Sequence, residues 1–112
     1  MTTRKTVGWL VFAALAMIFI LQVPRIAARG YISLGSSYFT LKRYEKAEKA
    51  YLHAKALADD SCAACGLGMT YNALGRYDDA EKEFQRSMRL DPNDACPYAQ
   101  SGTMYYDLGK YK

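Results

Sequence analysis

The chain has 112 residues, 51% of them hydrophobic and 23% charged, with a formal net charge of +4. One apolar segment takes up the front, so about 85 residues remain, enough for one small domain with a single core. From Ala28 onward 12 Lys and Arg are interspersed with 11 Asp and Glu. That near-neutral mixture offers no basic footprint, and no nucleic-acid partner is expected.

Residues 1–6 form a short basic N-terminus with Arg4 and Lys5. Residues 7–23, VGWLVFAALAMIFILQV, carry no charge, and as a helix they rise roughly 25 Å against a hydrocarbon core of ~30 Å. Such a helix has no polar face to show to water, and Trp9 near one end suits the headgroup level. The segment is expected to be a transmembrane helix acting as a signal anchor, with residues 24–27 as a linker. A cleaved signal peptide, releasing a secreted soluble protein at Ala28, is the competing reading. The basic start fits it, but the apolar run is longer than a usual h-region and Ile26-Ala27-Ala28 puts a bulky residue where a small one is preferred. Basic residues lie on both flanks, Arg4 and Lys5 before, and Arg25, Arg29, Lys42 and Arg43 after. The short basic start favours export of the C-terminal part to a periplasmic or extracellular side, with the cytosolic side as the other orientation.

The remainder, residues 28–112, repeats itself. Leu34-Gly35, Tyr38, Leu41, Tyr44, Ala47, Tyr51 and Leu57 return as Leu67-Gly68, Tyr71, Leu74, Tyr77, Ala80, Phe84 and Leu90. A third set, Gly102, Tyr105, Leu108, Gly109 and Tyr111, follows before the chain stops. Helical spacing reads each copy as a helix, a tight turn and a second helix. Gly35, Gly68 and Gly102 keep one face of each first helix flat so that a neighbour can approach. Ala47 and Ala80 do the same on the second helices, while Tyr51 and Phe84 fill the space between repeats. Asp78 with Glu81 reads as a capping box. The Asp-Asp-Ser of residues 59–61 and Asn93 or Asp94 read as helix caps, and Pro97 suits a first turn.

This pattern resembles the tetratricopeptide repeat, over residues 28 to 112. The expected fold is all-α: a transmembrane helix followed by a helix-turn-helix solenoid of two full repeats, 28–60 and 61–94, and a half repeat, 95–112. Repeat one lacks the usual closing Pro, and Ser101 stands where a large apolar residue normally precedes the glycine. The second helix of the third unit is missing, so a fragment of a longer repeat protein is expected. If the end is genuine, the uncovered last helix is a candidate self-association surface.

The resemblance implies a protein or peptide partner held in a concave groove lined by the first helix of each repeat. Carried onto this sequence, the lining is Arg29, Ile32, Ser36 and Phe39, then Cys62, Cys65, Met69 and Asn72, then Cys96, Ala99, Thr103 and Tyr106. The family's clamp for a terminal carboxylate would need Lys and Asn where Ile32 and Ser36 stand. Phe39, Met69 and Tyr106 instead favour an apolar helix or extended peptide.

The three cysteines offer a different chemistry, an exported thiol-redox or metal-binding module. Cys62 and Cys65 form C-x-x-C at a helix start, where the dipole and free amides lower a thiol pKa. In an oxidising compartment a Cys62–Cys65 disulfide would leave Cys96 free. The βαβ context of a thioredoxin-like site is absent; zinc would need a fourth ligand, since Cys96 could be a third and His53, the single histidine, lies on the second helix of another repeat. One histidine and the lack of a phosphate loop leave no catalytic constellation, and the Asp59-Asp60 and Asp78-Asp79 pairs are explained by capping. No enzyme activity, cofactor or resident metal is expected.

Overall fold

The computed structural model describes residues 2–109. It is all-helical, with five helices: α1 (Thr2–Thr40), α2 (Tyr44–Leu57), α3 (Ser61–Ala73), α4 (Tyr77–Leu90) and α5 (Ala95–Asp107). Tyr111 of the third sequence copy lies outside the described residues.

Helix α1 runs unbroken for 39 residues, with Pro24 inside it. The linker expected at residues 24–27 is therefore helical. Pro24 removes one backbone donor, and a helix absorbs that when its neighbouring turns are well formed, as apolar surroundings favour. The large apolar side chains at the front of α1, from Val7 to Val23, stand exposed, Trp9 and Phe12 among them. This helix is long and apolar enough to cross a membrane. Its last third is the first helix of repeat one.

From Ala28 on, consecutive helices run antiparallel. α2 folds back on α1, α3 on α2, α4 on α3, and α5 packs on both α3 and α4. The end nearest the apolar segment gathers Ala28, Ala54 and Ala63 into a cluster of small buried side chains, with Ile32 and Ala58 packed on it. The main core combines Ala47, Tyr51, Cys65, Leu67, Tyr71, Ala80, Phe84 and Met104. Repeat equivalence shows in burial: Leu67 is fully buried between hairpins, whereas Leu34, with no helix before it, is 43% exposed.

The far-end turns share one device. Lys42, Gly75 and Gly109 all take positive φ, at 60°, 78° and 68°. The residue after each of the first two then bonds back across the helix end, Arg43 N–H to Tyr38 O and Arg76 N–H to Tyr71 O, both at 2.8 Å. Left-handed backbone here satisfies carbonyls that the helix leaves open. At the near end Asp60 and Asp94 cap α3 and α5, accepting from the N–H of Cys62 at 2.7 Å and of Cys96 at 3.0 Å, as expected for residues 60 and 94.

The capping box expected of Asp78 and Glu81 does not form. Helix α4 begins at Tyr77 with Arg76 in the cap position and no side-chain cap. Asp78 and Asp79 thus fall inside the first turn, where Asp79 pairs with Arg76 at 2.9 Å. Glu81 instead accepts a hydrogen bond from the hydroxyl of Tyr105 on α5. The earlier start of the helix moves both carboxylates out of capping register.

Candidate functional site

The first helices of successive repeats, the end of α1, α3 and α5, lie side by side and present one face. Of the residues expected to line it, Arg29, Ser36, Cys62, Ala99, Thr103 and Tyr106 are exposed, and Tyr106 is 75% accessible. Met69, Asn72, Ile32, Phe39 and Cys96 are half-buried. Ile32, Phe39, Met69 and Cys96 spend part of their surface on the core, and Phe39 also meets the Tyr44 ring edge-on at 5.3 Å. The apolar residues are thus partly sunk into the core, while Ser36, Thr103 and Tyr106 are the more exposed ones. Thr103 gives its hydroxyl proton to the Ala99 carbonyl at 3.0 Å, leaving its methyl and oxygen for contact.

Cys65 does not line this face. It is 1% exposed, and its sulfur is bonded to that of Cys96, with 6.3 Å between the Cα atoms. The Cys62–Cys65 pairing expected from the C-x-x-C spacing is replaced by a staple from α3 to α5, and Cys62 is the free, exposed thiol. Position along the helix decides this: Cys65 faces the flank where α5 arrives, while Cys62 sits one turn nearer the end and points to solvent. Two of the three sulfurs are consumed by the bond, and among the described residues no set of three His, Cys, Asp or Glu is arranged for a metal ion. His53 stacks on Tyr31 at 5.2 Å, away from the sulfurs.

The thiol of Cys62 also departs from expectation. Burial pushes its pKa up, and the nearby carboxylates of Asp60 and Asp94 push it further. The Cys62 N–H that could favour a thiolate is already engaged by the Asp60 carboxylate, so burial and, after it, the two anions set the shift.

One contributor to this face escapes a reading confined to first helices. Tyr51 of α2 is 5% exposed, yet its ring passes between α1 and α3. A Cβ added to Gly35 would come within 2.9 Å of it, and one on Gly66 would be closer still. The Tyr51 phenol reaches Ser36 and the neighbourhood of Cys62; burial raises its pKa, and the Ser36 hydrogen bond opposes that rise. The signal was present in the sequence as Gly66, a second glycine two residues before the repeat glycine Gly68.

Phe84 makes the matching contact in repeat two, its Cδ1 lying 2.6 Å from where a Gly68 Cβ would be. Gly102 has nothing within 4 Å. Helical hairpins keyed by a ring on a glycine, stacked with a left-handed residue at each far turn, define a repeat solenoid. The sequence model described as tetratricopeptide repeat matches residues 26–93.

The chain belongs to the tetratricopeptide repeat family.

Among solved structures it is similar to the second such domain of Spaghetti (RPAP3) bound to the HSP90 peptide SRMEEVD, at 25% identity and a TM-score of 0.74. The match covers 81% of this chain and 84% of that one. No curated protein matches the chain. The tetratricopeptide fold and this likeness support protein–protein interaction as the general role.

Proposed function

We propose that this tetratricopeptide protein is a membrane-tethered scaffold that binds a peptide or helix of a partner protein on the α1–α3–α5 face. The observation that carries the reading is the shared face itself, where exposed Ser36, Thr103 and Tyr106 and half-buried Asn72 accompany the partly sunken Ile32, Phe39 and Met69. Such a surface offers apolar contact with a few directed hydrogen bonds, the composition of peptide sites. The similar solved domain holds an acidic peptide. Here Ile32 and Ser36 provide no cation at the clamp positions, so the favoured ligand is apolar and contacted along its length.

Tethering is supported by the exposed apolar length of α1. Retention of that segment is supported by Ala28, which is buried against Ala54 and Ala63; cleavage after Ala28 would take a core residue away. The continuous helix would hold the groove close to the bilayer and raise its effective concentration near membrane partners. The Cys65–Cys96 disulfide supports an exported, oxidising location for the solenoid. Self-association through α5 draws support from the open space over Gly102.

Capture of partners from membranes by detergent-solubilised full chain tests the binding role, with Tyr106→Ala and Asn72→Ala as matched variants. Loss of the same band in both is expected, and undiminished capture by both would sink the groove assignment. Carbonate extraction tests the tether separately, because a peripheral protein would be released and an anchored one retained.

A further inference from the structure

Helices α3 and α5 begin alike. Asp60 and Asp94 cap them, and each carboxylate accepts from the backbone N–H two residues on, at Cys62 and at Cys96. Cys62 and Cys96 therefore hold the same register on adjacent helices. Cys65 follows one turn after Cys62, and its bond to Cys96 crosses between the helices. The carboxylate of Asp94, which caps α5, raises the pKa of the Cys62 thiol. Three sulfurs thus gather at one end of the groove face, two joined and one free.

We infer that these three residues form a built-in thiol–disulfide exchange site, in which Cys62 attacks the sulfur of Cys65 and expels Cys96. The Cys62 thiol first gives up its proton. Its thiolate forms a bond to Cys65 Sγ as the Cys65–Cys96 bond breaks, and Cys96 leaves as a thiolate that takes up a proton. One S–S bond is broken and one is made, so no oxidant or reductant is required. The attack is intramolecular between residues three apart on a helix, whose Cβ atoms lie about 5–6 Å apart, while a disulfide wants roughly 3.5–4.5 Å. Cys62 lies in the first turn of α3, where its own N–H is held by the Asp60 carboxylate and by no preceding carbonyl, so the closure falls on the Cys62 side of the pair.

The product exchanges a staple between repeats for a bond inside one turn of α3. Helix α5 would then be held by the packing of Met104 and Leu108 on the core and by the Tyr105–Glu81 hydrogen bond. Burial, and after it the charges of Asp60 and Asp94, push the Cys62 thiol pKa up and keep it protonated near neutrality. The Cys65–Cys96 staple present in the fold thus exchanges slowly near neutrality, and alkaline conditions speed the exchange. This chemistry goes beyond the proposed binding role and stands or falls apart from it.

Peptide mapping tests it on the full chain in detergent. The protein is held in mildly alkaline buffer, acid-quenched at intervals, alkylated with N-ethylmaleimide under acid and digested with trypsin. Cys62 and Cys65 share the tryptic peptide 56–76, and Cys96 falls in 90–110. The resting form gives the two peptides cross-linked with Cys62 alkylated. The exchanged form gives 90–110 alkylated at Cys96, and 56–76 lighter by the two hydrogens of an internal disulfide. Growth of the exchanged pair at a rate independent of protein concentration is expected, with complete loss of Cys96 labelling in Cys62→Ser. Cross-linked peptide alone at all times, three alkylated thiols from the outset, or Cys96 labelling that persists in Cys62→Ser would each overturn the inference.

Discussion

The ring of Tyr51 lies so close to Gly66 that a Cβ there would sit nearer than 3.0 Å to Cε1 and Cζ, closer than real Cβ atoms come. Because the ring is 5% exposed and also presses on Gly35, it has no room to withdraw. Gly66→Ala is therefore expected to destabilise the solenoid by about 1–3 kcal/mol, the usual cost of overpacking a filled core. Thermal melts followed by far-UV circular dichroism would show it. Combining Gly66→Ala with Tyr51→Leu should cost less than the two single changes summed, because the smaller side chain gives way.

At the first turn the same repeat position that holds Gly75 and Gly109 holds Lys42, at φ 60°. A side chain in the left-handed region costs roughly 1–2 kcal/mol, part of which glycine would return as unfolded-chain entropy. Lys42→Gly should stabilise the protein by about 0.5–1 kcal/mol, and Gly75→Ala should destabilise it by a similar amount. Equal melting temperatures for Lys42→Gly and the parent would contradict this account of the turn.

The solenoid was legible in the sequence because its packing is periodic. Gly35 with Tyr51 and Gly68 with Phe84 occupy corresponding places, so a pattern found once is confirmed by its copy. What does not repeat was not legible. Pro24 reads as a break, yet α1 passes through it, since packing of residues 28–40 on α2 and the apolar turns before Pro24 outweigh one lost hydrogen bond. The start of α4 lies one residue ahead of Asp78, enough to turn a capping box into first-turn charges. The cysteine pairing depends on how α3 is rotated against α5. That rotation is fixed by Met104 and its neighbours rather than by the spacing of cysteines. The positions on the first helices were legible as a register, but not that Ile32, Phe39 and Met69 sink part of their surface into the core.

The disulfide closes a loop between residues 31 apart in sequence. On chain-entropy grounds such a bond contributes about 2–4 kcal/mol. Because the bond joins α5 to α3 and touches no other helix, much of that loss should appear as local opening of α5 rather than global unfolding. In Cys96→Ser, amide exchange in α5 is expected to accelerate while α2, with Ala47, Ala50 and Ala54 buried, stays protected. Equal acceleration in both helices would mean that the bond supports the whole solenoid and not its end.

The reactivity of Cys62 offers a test of the charges around it. Burial, and after it the carboxylates of Asp60 and Asp94, raise the thiol pKa, so the thiolate fraction at neutral pH is below that of an ordinary cysteine. Asp60→Asn keeps an oxygen to accept from the Cys62 N–H and preserves the cap, while removing one negative charge. With less repulsion the thiolate is favoured, and the pH profile of alkylation moves to lower pH. Its neutral-pH rate should rise, and the two proteins should converge once both thiols are ionised. Burial remains in the variant, so part of the upward shift persists. A profile that fails to move, measured by iodoacetamide labelling of Cys62 in the oxidised protein, would assign the whole shift to desolvation and leave Asp60 a purely structural cap.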